Sequence, residues 1–316
     1  MNILIIGAGA LGIGVGTNLV NSGCSVDFFA RGENKTAIEE SGISRTGWFG
    51  DIFIPAGKVR AFDDYGLLPK NHYDYVIIST KTIANREVSR QLNANRDCLA
   101  PKGKIIFMQN GLGYEKPFLE YFAKDMLYHS RVITGFKKDK PNASVVTAHQ
   151  APILIGSLYG YDNEAVEPLT EAINSSGIPA QTDIEIGKAI WAKLIYNTTL
   201  NPIGAILGLS YGELTDSKYA RPVMDKLIEE TFLIMKASGG DTYWNDADEY
   251  KRVLFEEMIP VTYNHRSSTL QDIEKKQKTE MDTLTGILLQ LAEEHKIPAP
   301  THWMIYSMVK ALEEKF

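Results

Sequence analysis

Cysteine is almost missing from this chain: Cys24 and Cys98 are the only two among 316 residues. Two thiols cannot build a disulfide framework or a cysteine-ligated zinc site, and the usage fits a reducing compartment such as the cytoplasm. Histidine is also sparse. His72, His129, His149, His265, His295 and His302 show neither an H-x-x-x-H nor an H-E-x-x-H spacing, so no metal is expected. Positive charge is in deficit, with 33 Lys and Arg against 39 Asp and Glu and a net charge of −6. Neither a nucleic acid nor an anionic membrane is therefore expected as the main partner, and an anionic ligand has to be drawn in by a local site. Long apolar runs are missing except at the start, where MNILIIGAGALGIGVGTNLV carries no charge. It has no basic leader and no cleavage-like flank, and five glycines between positions 7 and 16 would weaken a spanning helix. The stretch is expected to be a buried strand entering a tight turn.

With 44% hydrophobic and 23% charged residues, the composition is that of a globular protein, and the length predicts two domains with a core each. The opening run contains Gly7-x-Gly9-x-x-Gly12, preceded by an apolar strand and followed by a helix ending near Gly23. Gly7 permits the turn, Gly9 lets a pyrophosphate approach the backbone, and Gly12 lets helix pack closely on strand. The phosphates would lie on the unpaired N–H groups at the helix start. This predicts dinucleotide binding by a Rossmann-type domain.

The second strand, CSVDFFAR, encloses Asp27 and ends at Arg31. A carboxylate at the strand end would accept from a ribose 2′-hydroxyl, whereas a guanidinium holds a 2′-phosphate, so Arg31 points to NADPH/NADP+. YDYVIISTK places Lys81 after another strand, and GKIIFMQNGLG places Asn110 after a third. Three strand ends thus deliver polar residues to the edge where open parallel sheets bind ligands. LYHSRVIT, ASVVTAH and PILIGS, between about 127 and 157, are expected to complete that sheet with an antiparallel edge.

From about residue 185 the period becomes helical: 185–207, 215–238, 244–260, 266–294 and 302–315. The expected organisation is α/β, a Rossmann-type domain over 1–184 followed by an all-helical domain over 185–316. In WAKLIYNTTLNP, Lys193, Asn197 and Asn201 recur every four residues and form one polar stripe on a largely apolar helix. Buried asparagines need partners, and a ligand would supply them. Ser268, Asp272 and Glu280 recur at multiples of four on the expected 266–294 helix and could share a face.

Taken in order, GAGALG, the Arg after the second strand, STK, QNG, WAKLIYNTTLNP, YGEL and SSTLQDIEKKQKTEMDTLTG resemble the ketopantoate reductase (2-dehydropantoate 2-reductase) family over essentially the whole chain. The resemblance implies an enzyme that uses NADPH to reduce 2-dehydropantoate to (R)-pantoate, toward pantothenate and coenzyme A. It implies Lys193 as general acid and Glu280 as the supporting carboxylate. Asn197, Asn201 and the serine pair Ser267 and Ser268 would bind substrate. Gly7, Ala8, Gly9, Ala10, Leu11, Gly12, Arg31, Lys81 and Asn110 would contact NADPH, with Asn110 also near substrate. Three places depart from the family pattern: Tyr211 stands where an Asn is usual and is taken as a substrate contact, Gly135-Phe136 replaces the Gly-Ala that closes the cofactor site, which puts Phe136 there, and the residues before the serine pair also differ. His265-Arg266 is bulkier than the usual pair, and Arg266 could meet an acidic group. A small 2-oxo acid is the implied partner, and the reading is compatible with a homodimer.

Overall fold

The computed structural model describes residues 1–149 and 151–316. The chain forms two compact units: Met1–Gln109 with Tyr114–Ile186, and Asn110–Gly113 with Gly187–Phe316. The expected division at 184/185 therefore misses one excursion, because four residues between Gln109 and Tyr114 belong to the second unit.

The first unit runs β1 (Asn2–Ile6), α1 (Ala10–Asn21), β2 (Ser25–Phe29), α2 (Glu33–Ser41), β3 (Ile43–Gly47), β4 (Ile52–Ile54), β5 (Arg60–Phe62), β6 (Tyr73–Ile78), α3 (Asn85–Ala94), β7 (Leu99–Phe107), α4 (Lys116–Leu119), β8 (Leu127–Arg131), β9 (Gly135–Lys140), β10 (Ala143–Ala148), β11 (Ile153–Gly156), α5 (Glu167–Ser175) and β12 (Ala180–Thr182). Its main sheet has the order β12-β11-β8-β7-β6-β1-β2-β5. The strands are parallel except across β8 and β11. Ile3–Ile6 and Ile105–Phe107 are buried on both faces, which is why these strands read as unbroken apolar runs.

One expectation fails here. β10 does not complete the main sheet; with β9, a strand not expected from the sequence, it joins β3 and β4 in a second one, ordered β4-β3-β10-β9. The burial of β10 alternates, whereas β8 and β11 are buried throughout. Alternation is the mark of a strand with one covered face.

The second unit comprises α6 (Ile186–Leu207), α7 (Tyr211–Asp216), α8 (Ala220–Ala237), α9 (Ala247–Val253), α10 (Ile259–Val261), α11 (Ser268–Glu274), α12 (Ile287–His295) and α13 (Pro300–Glu313), α6 entering from the last residue of the first unit. Leu194, Ile195, Leu200, Leu227, Ile228, Leu284 and Leu288 lie in its core. The expected 266–294 helix is broken. α11 stops at Glu274, Lys276 takes a left-handed φ of 54°, and a π-helical turn over Asp282–Gly286 leads into α12. Ser268, Asp272 and Glu280 therefore do not share one helix face, since Glu280 lies outside any helix.

Candidate active site

The glycine turn of the first unit behaves as its spacing predicts. Gly7 has φ 116°, and a Cβ there would lie 2.7 Å from the Thr80 nitrogen; one on Gly12 would lie 2.1 Å from the Gly7 carbonyl oxygen. Neither position accepts a side chain. A Cβ on Gly9, by contrast, would meet nothing within 4 Å. Gly9 is also the N-cap of α1 and supplies no side-chain cap, and the first turn, which includes Ala10, Leu11 and Gly12, holds no acidic residue. Open space, uncapped N–H groups and the positive end of a 12-residue helix coincide, an arrangement that fits a pyrophosphate. Ala8 is buried behind the turn. Ser79, not singled out from the sequence, donates from Oγ to the Gly7 carbonyl oxygen at 2.8 Å and braces the turn.

Asp27 is fully engaged within the fold. Its Oδ1 accepts from Arg60 Nε at 2.9 Å, and its Oδ2 accepts from Arg60 Nη2 at 2.6 Å and the Tyr73 hydroxyl at 2.8 Å. β2 and β5 set Asp27 opposite Arg60. Burial, with the Asp27 charge and its hydrogen bond, holds the Tyr73 phenol far above its ordinary range, so it remains a donor. Arg31, just beyond β2, is exposed, and its guanidinium lies 5.6 Å from the centroid of the Phe29 ring. Lys81 is exposed just beyond β6. Phe136 lies on β9 opposite Val146, and a Cβ on Gly14 of α1 would fall 2.6 Å from its ring. Phe136 therefore packs on the glycine face of α1.

The polar end of β7 is held by two amides. Asn85 Nδ2 donates to Gln109 Oε1 at 2.8 Å and Gln109 Nε2 donates to Asn85 Oδ1 at 2.8 Å. The same nitrogens reach the Tyr114 carbonyl at 2.8 Å and the Thr80 carbonyl at 2.7 Å. Gln109 and Tyr114 flank the four-residue excursion, so its two ends are pinned by Asn85, which showed no spacing signal in the sequence.

Within the second unit, those four residues meet the segment around Glu280. Leu112 N–H donates to the Thr283 carbonyl at 3.0 Å. Gly111 has φ 100°, and a Cβ there would fall 2.1 Å from the same oxygen. This contact sets the amide of Asn110 between two charged groups. Lys193 Nζ donates to Asn110 Oδ1 at 2.6 Å, and Asn110 Nδ2 donates to Glu280 Oε2 at 3.2 Å. This amide orientation is the one that a lysine donor on one side and a carboxylate acceptor on the other require.

The rest of the α6 stripe follows. Asn201 is 2% exposed, and its Oδ1 accepts from the buried Tyr211 hydroxyl at 2.7 Å. A phenol donating to Oδ1 leaves the amide nitrogen as the group Asn201 can offer a ligand. Asn197 is 9% exposed, and its amide makes no hydrogen bond among the described residues. The expected serine pair lies at the start of α11. Ser267 is the N-cap of α11; its Oγ accepts from Leu270 N–H at 3.0 Å and donates to the Asn201 carbonyl at 3.3 Å. Ser268 is exposed on the first residue of α11. Arg266 is paired with Glu274.

Among the described residues no group of three or more His, Cys, Asp or Glu could hold a metal ion, and no helix is long and apolar enough to cross a membrane. The model of the ketopantoate reductase PanE/ApbA family matches residues 3–160, and that of its C-terminal domain matches residues 185–313. The chain is 30% identical to the 2-dehydropantoate 2-reductase of Aquifex aeolicus over 99% of its own length and 97% of the relative's. It is 28% identical to that of Pyrococcus horikoshii over 99% and 98%. Among solved structures, a PanE/ApbA family ketopantoate reductase from Ralstonia eutropha superposes with a TM-score of 0.86 at 24% identity, covering 100% of this chain and 99% of that one. A D-mandelate dehydrogenase bound to NADH and anilino(oxo)acetate reaches 0.87 at 20% identity over 100% and 99%, a likeness of fold. With both halves matched and a relative aligned end to end, the chain belongs to the ketopantoate reductase family.

Proposed function

We propose that this protein is an NADPH-dependent 2-dehydropantoate 2-reductase of the cytoplasm, yielding (R)-pantoate. The observation that carries the reading is the chain from Lys193 through the Asn110 amide to Glu280. When bound, the reduced nicotinamide supplies a hydride to the substrate's 2-oxo carbon. Negative charge then develops on the carbonyl oxygen, and an ammonium within hydrogen-bond reach stabilises it and donates the proton. Lys193 is the group suited to that step. Asn110 Oδ1 aims its ammonium, and Glu280 fixes the amide from the other side. Asn197 and the amide nitrogen of Asn201 are available to the substrate's polar groups, and Ser268 is exposed at the start of α11, next to Ser267, whose Oγ donates to the Asn201 carbonyl.

Arg31 supports NADPH over NADH, because the one carboxylate of β2 is committed to Arg60 and Tyr73. An exposed guanidinium can grip a 2′-phosphate with paired N–H bonds. Tyr211 favours a second reading, a related 2-oxo acid reductase of the same fold: its ring is buried against the stripe and bonded to Asn201, which reshapes the space beside that residue.

The test follows NADPH absorbance with 2-dehydropantoate and a panel of bulkier 2-oxo acids, for wild type and Lys193→Ala together. Efficient oxidation with 2-dehydropantoate that is lost in the variant supports the first reading. Oxidation only with another acid moves the enzyme to the second, and wild-type turnover by Lys193→Ala removes the lysine from the proton transfer.

A further inference from the structure

Glu280 stands where the chain has no helix to hold it. Residues 275–281 are irregular, entered through the left-handed Lys276. On its C-terminal side the Glu280 carbonyl accepts from Thr283 N–H and Leu284 N–H, both at 3.1 Å. On its N-terminal side the nearest anchor is Thr279, which is 5% exposed. Thr279 donates both its N–H, at 2.9 Å, and its hydroxyl to one oxygen of Glu313, near the end of α13. The Thr279 hydroxyl in turn accepts from Met281 N–H at 3.2 Å.

Glu313 is 1% exposed. Burial pushes its carboxyl up, but the hydrogen bonds from Thr279 and Lys310 together outweigh this and hold it below the usual carboxylate range. It is therefore an anion, with Lys310 Nζ at 2.9 Å from its second oxygen. One turn and two turns back on the same helix face, Lys310 and Tyr306 hold Asp282, at 3.3 Å and 2.6 Å. α13 thus grips residues 279 and 282, on either side of Glu280.

We infer that Glu313 is a positioning residue for the reduction: by accepting both Thr279 donors it fixes the backbone on which Glu280 sits, and so the Glu280–Asn110–Lys193 geometry. The inference rests on the reductase reading of those three residues. A buried carboxylate is costly unless it is paired, so its partners Thr279 and Lys310 are what keep it there. A displacement of about 1 Å at a group aiming the acid can lower turnover by roughly a hundredfold without weakening cofactor binding.

The test compares Glu313→Ala, Glu313→Gln and Thr279→Val with wild type, using three readouts: kcat and KM for 2-dehydropantoate, NADPH affinity by fluorescence, and hydrogen exchange of the segment 277–284. In Glu313→Ala, kcat should fall about tenfold or more with NADPH affinity within about twofold, and exchange should rise in that segment. Glu313→Gln keeps an acceptor oxygen for Thr279 and should recover kcat to within about threefold of wild type. Glu313→Ala that is folded and turns over at the wild-type rate overturns the inference. If Glu313→Ala does not fold, Thr279→Val decides, with unchanged kcat overturning the inference and a fall of about threefold or more supporting it. Wild type inert toward every 2-oxo acid would instead sink the reductase reading, while the exchange measurement would still report whether Glu313 holds the segment.

Discussion

Asn110 is a neutral amide between two opposite charges, and each end of it can do only one of the two tasks. Asn110→Leu keeps the branched shape and the number of heavy atoms, and removes both bonds. Its kcat/KM should drop about a hundredfold while NADPH still binds, and a drop under about threefold would mean that Lys193 is aimed by something else. Arg31 offers a second test at this scale: Arg31→Glu should reverse the preference between NADPH and NADH, read as the ratio of their kcat/KM values. An unchanged ratio would mean that the guanidinium does not meet the 2′-phosphate. The sequence showed both residues at strand ends, where chemistry is expected. It could not show that Asp27 is consumed by Arg60 and Tyr73, because that depends on which strand β2 pairs with. Nor could it show that the link from Lys193 to Glu280 passes through Asn110, a partner 83 residues away in sequence.

At the level of elements, the glycine turn and α6 were legible because their patterns are local. A strand, three spaced glycines and a helix follow one another without a gap, and the α6 stripe lies on one uninterrupted helix of 22 residues. The stretch 266–294 misled for the opposite reason. Its Glu, Lys and Gln residues are good helix formers, yet tertiary bonds from α13 take up the backbone at Thr279 and the side chain at Asp282. Second-sheet membership of β10 was hidden likewise, since β3, its parallel partner, lies about a hundred residues earlier. The turn through Gly111 gives a test at this scale. Gly111→Ala must adopt a positive φ and displace the Thr283 oxygen, so turnover should fall about tenfold or more and the thermal midpoint should drop by several degrees. Wild-type values for both would mean that the loop is not held against Thr283 in solution.

For the whole molecule, acid should be the destabilising direction. His129 in the first unit and His302 in the second are fully buried, and burial pushes their pKa values down to about 3 and about 4. Both are neutral when folded and bind a proton near pH 6.5 when unfolded, so the unfolded state gains protons first as pH falls. Stability is full above about pH 6.5 and should decline by about 1.4 kcal/mol per pH unit per histidine down toward those folded values. Urea midpoints at neutral pH and at successively lower pH check this; a midpoint constant between pH 7 and pH 5 would contradict it.

The excursion of Asn110–Gly113 gives this enzyme a genealogy problem. The chain passes between its two units three times, after Gln109, after Gly113 and after Ile186. A recombination event, natural or engineered, that joins two parents once near residue 186 would take Lys193 and Glu280 from one parent and the amide between them from the other. The chain from Lys193 through Asn110 to Glu280 is inherited intact only when two separated pieces of gene travel together, so the helical unit is a module in shape but not in heredity.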